Sequence, residues 1–136
     1  MTRREQRIRI MNCIYQHLLT EKKIDDILED NIDINDKESI EFIVTNTIGV
    51  IGELDALIKQ IEPLLIDYRF KRLGYVEQAL LLLSTYQLNL KQIDKPIIIN
   101  EAIEIAKMYC DDEAPRFING ILDKIWWLII FGPLVN

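Results

Sequence analysis

The 136-residue chain has little of what most enzymes and secreted scaffolds depend on. It holds one histidine, His17, and two serines, Ser39 and Ser84, so a Ser-His-Asp arrangement has a single histidine to build on. His17 precedes Leu18 and Leu19 in an amphipathic stretch and reads as a boundary residue of a helix. The two cysteines, Cys13 and Cys110, form neither a metal-ligand spacing nor a disulfide framework, which fits a reduced cytoplasm. Glycine-rich phosphate loops of the dinucleotide or P-loop kind are absent. Five Gly and four Pro are too few for a fold of many tight turns. No uncharged apolar run reaches the ~18 residues of a membrane helix. The charged N-terminus lacks the apolar core of a signal peptide. The expectation is a cytoplasmic, non-enzymatic chain with no cofactor, no catalytic metal and no membrane contact.

Hydrophobic residues make up 49% and charged residues 28%, enough for one well-buried domain. A net charge of −6 argues against nucleic acid when taken alone, but its distribution is uneven. Residues 1–10 set Arg3, Arg4, Arg7 and Arg9 against Glu5, a local +3. Residues 21–41 set nine acids against three lysines, a local −6. Screening confines each charge to about 8–10 Å, so the basic tip can hold phosphates despite the acids beyond it. The same four arginines also fit a merely solvated first helical turn.

The apolar spacing is helical throughout. Thr2 and Glu5 form a capping-box pattern, followed by Met11, Ile14/Tyr15 and Leu18/Leu19 on one face of a helix over 3–19. A short helix is expected over 24–30 and a loop over 31–35. From a cap at Asn35 or Asp36, helical period continues to Pro63, as one bent helix or two. Gly49 and Gly52 inside it call for close packing or a bend. Residues 63–74, with Pro63, Asp67 and Gly74, divide the chain into halves of about 1–66 and 67–136. A helix over 75–89 carries four consecutive leucines, Leu80 to Leu83, and is expected to be buried on several sides. Pro96 is read as ending a connection, Ile97 to Ile99 as apolar packing ahead of a helix over 101–109 capped by Asn100, and Asp112 as the cap of a last helix. The fold class is all-α, with six or seven helices in two small packed bundles. The 25 isoleucines against four valines are compositional bias, not strands.

Four stretches in order carry a resemblance. They are Arg3-Arg4-x-x-Arg7 with Met11 and Tyr15-Gln16; Asn46-Thr47 with Gly49-Val50; Arg72-Leu73 leading into Val76-Glu77-x-Ala79 and Tyr86-x-Leu88; and two nine-residue blocks, Ile99 to Lys107 and Phe117 to Ile125. Over residues 2–125 the chain resembles the NusB family of transcription antitermination factors. The resemblance implies a two-bundle helical protein that pairs with the ribosomal protein NusE. It also implies binding to single-stranded boxA-type RNA and help to RNA polymerase in the antitermination complex of ribosomal RNA operons. By the same resemblance the RNA-binding residues are Arg3, Arg4, Arg7, Arg116, Phe117 and Asn119, and the NusE-binding residues are Tyr15 and Glu77. Arginine suits phosphate and base stacking, and an aromatic suits an unpaired base. Phe117, four residues before Ile121, and Tyr15, among Met11 and Leu18, also fit core positions. Glu77 is expected to be exposed, and Gly120 to serve packing against the preceding helix.

Leu82 and Gln87 stand where the family often carries Arg and Glu, which reads as a vanished ion pair. The apolar tail from Ile125 to Phe131 and on to Asn136 departs from the polar ending expected, and suits groove-capping or a homodimer contact. Two other classes compete. One is a helical protein–protein adaptor without RNA binding. The other is a NusB-like domain of a ribosomal RNA methyltransferase, whose cofactor domain 136 residues leave no room for.

Overall fold

The Thr2 hydroxyl accepts from the Glu5 amide at 3.1 Å, and the Glu5 carboxylate accepts from the Thr2 amide at 3.1 Å. These reciprocal bonds satisfy two otherwise orphaned amides and start the first helix where the sequence placed it. The computed structural model describes residues 1–32, 35–66 and 69–135, with side chains to Gly132. Its helices are α1 (Arg3–Thr20), α2 (Ile24–Asn31), α3 (Lys37–Gly52), α4 (Leu54–Ile61), α5 (Tyr75–Leu90), α6 (Lys95–Tyr109) and α7 (Ala114–Val135). Single 3-10 turns at Glu62–Leu64 and Phe70–Arg72 lie in the link between α4 and α5. The described residues contain no strand. Of the expected loop over 31–35, Asp33 and Ile34 lie outside the described residues, as do Asp67 of the link and Asn136 of the tail.

The long central stretch resolves into two helices. Asp36 caps α3 by accepting from the Ser39 amide at 3.2 Å, and α3 ends at Gly52. Gly49 is there for close packing: a Cβ would fall on the Tyr86 ring of α5. A Cβ on Gly52 meets nothing, so this glycine marks the break between α3 and α4.

Three local expectations are corrected. Helix α6 begins at Lys95, not at Glu101, with Pro96 in its first turn. Proline lacks only an amide that has no partner there anyway, so Pro96 opens the helix and Ile97 to Ile99 belong to it. The residue capping α7 is Asp111 rather than Asp112, since its Oδ1 accepts from the amides of Glu113 and Ala114 at 3.2 and 3.1 Å. Gly120 does not pack against α6: it is exposed, and a Cβ there meets no described residue within 4 Å.

Helix α5 is the axis. Every residue from Gln78 to Leu88 is buried, because α1, α3, α4, α6 and α7 all pack against it. The helices form two small packed bundles around it. One core runs through both, from Ile10, Ile14, Ile43 and Leu57 to Leu80, Leu82, Ile98, Ile118 and Leu122. Burying such side chains contributes about 1.5–3 kcal/mol each. No described helix is long and apolar enough to cross a membrane.

Candidate nucleic-acid interface

The three arginines at the tip of α1 are not equivalent. Arg3 is exposed; its guanidinium carbon lies 3.9 Å from the centroid of the Phe42 ring, and Nη1 donates to Gln6 Oε1 at 2.6 Å. Arg4 makes a two-pronged contact with Glu101 of α6, Nε at 2.9 Å and Nη2 at 3.1 Å. That contact raises the Arg4 pKa, first through the hydrogen bond and then through the charge, and lowers that of Glu101. Arg7 is only 5% exposed, its Nε has no hydrogen-bond partner among the described residues, and its guanidinium carbon is 5.6 Å from the Phe42 ring centre. Burial lowers the Arg7 pKa. The picture of a uniformly solvated cationic turn is thereby replaced. One arginine is stacked and open, one is clasped by a carboxylate 97 residues away in sequence, and one is sunk beneath them. Arg3 and Arg7 share a face because they are four residues apart on a helix.

The second cluster is at the start of α7. Arg116 is exposed and Phe117 half-buried, packed against the core yet lining a groove of about 350 Å³ with Leu64, Gly120, Ile121 and Lys124. Core and groove are therefore compatible roles for this ring. Asn119 is half-buried on the same helix and does not line the groove. Gly120 keeps the groove floor low, since any side chain there would project into it. Helix α6, which holds Glu101, packs along α7 and touches α1 where Glu101 meets Arg4.

Tyr15 is half-buried with its ring edge-on to Tyr75, centroids 6.0 Å apart. Tyr75 opens α5 two residues before Glu77. Glu77 is not freely exposed as the helical wheel suggests. It is half-buried, and burial, followed by the charge of Asp111, raises its carboxyl above the usual range. Burial also pushes both free thiols, Cys13 and Cys110, up to about 11, so neither is an activated nucleophile.

Sequence reasoning missed Phe42, Tyr75, Glu101 and Lys124. Phe42 follows an acidic run and was legible only as core. Lys124, eight residues after Arg116 on one helical face, carried a signal in its spacing. Nothing local links Arg4 to Glu101.

These features define an all-α, two-bundle protein with a cationic tip on α1 and a groove lined by Phe117 on α7. The NusB family model matches residues 4–126. The transcription antitermination protein NusB of Sulfurovum sp. (strain NBC37-1) is 35% identical over 128 residues, covering 91% of this chain and 97% of that protein. The solved structure of T. maritima NusB superposes with a TM-score of 0.87 at 32% identity, over 93% of this chain and 91% of that one. A structure of antitermination factors NusB and NusE in complex with double-stranded RNA gives a TM-score of 0.76 at 25% identity, over 93% and 98%. The chain belongs to the NusB family.

Proposed function

We propose that this chain is a non-enzymatic transcription antitermination factor of the cytoplasm that pairs with NusE and binds single-stranded boxA-type RNA. In this reading it acts within the RNA polymerase antitermination complex of ribosomal RNA operons. The observation that carries the reading is the joint presence of the arginine tip and the Phe117 groove, on helices that both contact α6, in a chain of this family. Arg3, Arg4 and Arg7 supply phosphate contacts, Arg4 by exchanging Glu101 for a phosphate. Phe117 stacks a base, while Arg116 and Asn119 flank it. Tyr15 and Glu77, beside Tyr75, form the NusE surface. The two halves, about 1–66 and 67–136, divide the work: the arginines and Tyr15 on the first, the groove and Glu77 on the second.

The test is a gel shift with boxA-type RNA, with and without NusE, over a salt series. Three phosphate contacts on a single strand give a log–log slope of about −2. Joint replacement of Arg3, Arg4 and Arg7 by Ala flattens it, whereas Phe117→Ala costs about 1–3 kcal/mol with the slope kept. Unchanged binding of the triple variant across the series would remove the arginine tip from the site.

One observation favours the adaptor reading. Trp127, Leu128, Ile130 and Phe131 are all exposed on the far end of α7, beyond the family match, and the Trp127 and Phe131 rings meet at a tilt of 46° with centroids 5.5 Å apart. Trp126 and Ile129 pack on the core from the same helix. Retention of NusE binding with no RNA affinity would favour this reading.

A further inference from the structure

A larger cleft of about 630 Å³ opens between the tip of α1, the first half of α3 and the end of α5, outside the surfaces assigned above except at Arg3. Cavities of this size hold small organic ligands. Part of its wall is layered: the Phe42 ring carries the Arg3 guanidinium on its face, and the bond to Gln6 fixes that guanidinium from its edge. Arg3 is exposed and lines the cleft, so the layer can be extended by one more flat group.

Gln87 also lines the cleft although only 3% of it is exposed. Its Nε2 donates to Asn46 Oδ1 at 3.1 Å, and Asn46 Nδ2 donates to the Phe42 carbonyl at 2.9 Å. This chain of bonds fixes the Gln87 amide and leaves Oε1 as an acceptor with no protein partner among the described residues. Oε1 is open to solvent from the cleft, so a ligand donor can take the place of water on it. At the rim, Glu38 and Glu41 only accept hydrogen bonds and repel phosphate, and the N-terminal ammonium of Met1, which also borders the cleft, is paired with Asp36 at 3.6 Å. The cleft therefore offers a stacking platform and acceptors, and it disfavours a phosphate inside.

We propose that this cleft is a slot for one unpaired nucleobase bearing an exocyclic amine, stacked on the Arg3 guanidinium with its amine donated to Gln87 Oε1. Adenine, cytosine and guanine each carry such an amine; uracil presents a single N–H between two carbonyls and does not. Guanidinium stacking and edge hydrogen bonds are how single-stranded RNA bases are held. The slot rests on the RNA-binding reading for its supply of bases. Arg3 belongs to both surfaces, so a strand whose phosphates lie on the α1 tip has a neighbouring base within reach of the cleft.

The experiment uses the full chain. Side-chain amide signals of Asn46 and Gln87 are followed by NMR during titration with cytidine, adenosine and uridine, and heptamers of C, A and U are titrated by fluorescence anisotropy. Thr45→Trp, at an exposed residue of the cleft wall, fills the slot, and Gln87→Met removes the acceptor while keeping the shape. Thermal melts confirm that both variants fold. Cytidine and adenosine move the amide signals, uridine does not, and Thr45→Trp abolishes the effect. The filled variant binds A and C heptamers at least about fivefold more weakly, with an unchanged salt slope because no phosphate contact is lost. If nucleosides move the signals while no heptamer binds the parent, the slot stands as a site for free nucleosides and the RNA-binding reading falls. If heptamers bind parent and both variants alike and no nucleoside moves the signals, the slot is overturned and the RNA-binding reading stands. Equal shifts from uridine overturn the assignment of the amine.

Discussion

Replacing Gly49 and Gly120 separately by alanine tests the packing in its sharpest form, because both lie inside helices and differ only in what surrounds them. In a helix interior, alanine is favoured over glycine by about 0.8–1.0 kcal/mol. At Gly120 nothing among the described residues opposes that gain, since a Cβ meets none of their atoms within 4 Å. Gly120→Ala therefore stabilises by up to about 1 kcal/mol, which is about 3–4 °C in Tm for a chain of this length. At Gly49 the new methyl falls on the hydroxyl end of Tyr86, a ring only 8% exposed and set in the core. Forcing extra volume into a packed site costs about 1–3 kcal/mol, more than the helix gain. Gly49→Ala is then destabilising by about 0–2 kcal/mol, so the two variants differ by roughly 1–3 kcal/mol. Shortening Tyr86 to Leu in the Gly49→Ala background recovers part of the loss, read as a favourable coupling in a double-mutant cycle. Urea and thermal unfolding give the numbers. If Gly49→Ala stabilises as much as Gly120→Ala, the close approach of α3 to α5 is wrong.

Glu101→Gln frees Arg4 from its carboxylate partner, so RNA affinity rises while the salt slope stays the same, because the parent already exchanges Glu101 for a phosphate; unchanged affinity removes Arg4 from the phosphate contacts. Glu77 is held above its ordinary pKa by burial, so the stability it contributes is complete below its unfolded value and is lost as pH rises through the folded one. Asp36 and Glu101, held low by Ser39 and by Arg4, contribute stability that is present above their unfolded values and lost as pH falls through the folded ones. Glu77→Gln therefore raises Tm near pH 7 and leaves it unchanged near pH 4 in thermal melts; equal shifts at both refute the assignment. Truncation after Ile125 removes the packed Trp126 and Ile129 and costs about 2–4 kcal/mol. Replacing only the exposed Trp127 and Phe131 by Ser leaves Tm within about 1 °C. A truncated chain as stable as the parent refutes the packing of the α7 end.

The sequence by itself determined the helices, because the signals that start and space a helix are local. Thr2 with Glu5, Asp36 ahead of Ser39, and the three- and four-residue steps of isoleucine and leucine each act within one or two turns. It also determined that α5 is buried all round, since Leu80 to Leu83 leave no polar face. It misplaced the start of α6 for a local reason as well: a proline that ends a connection and one that opens a helix read alike from one side.

Only the tertiary structure decided what the charged and aromatic side chains do. Arg3, Arg4 and Arg7 are indistinguishable as letters. Their fates come from Phe42 and Glu101, which reach them from α3 and α6. Glu77 sits on what the helical wheel makes an outer face, yet packing half-buries it beside the charge of Asp111. Gly49 and Gly120 read the same in sequence, but one lies under a tyrosine and the other under open groove. Neutral Gln87 became a fixed acceptor through Asn46, 41 residues earlier. Burial and pairing are set by which helices meet, and that depends on the sum of many weak apolar contacts across the chain rather than on any short stretch of it.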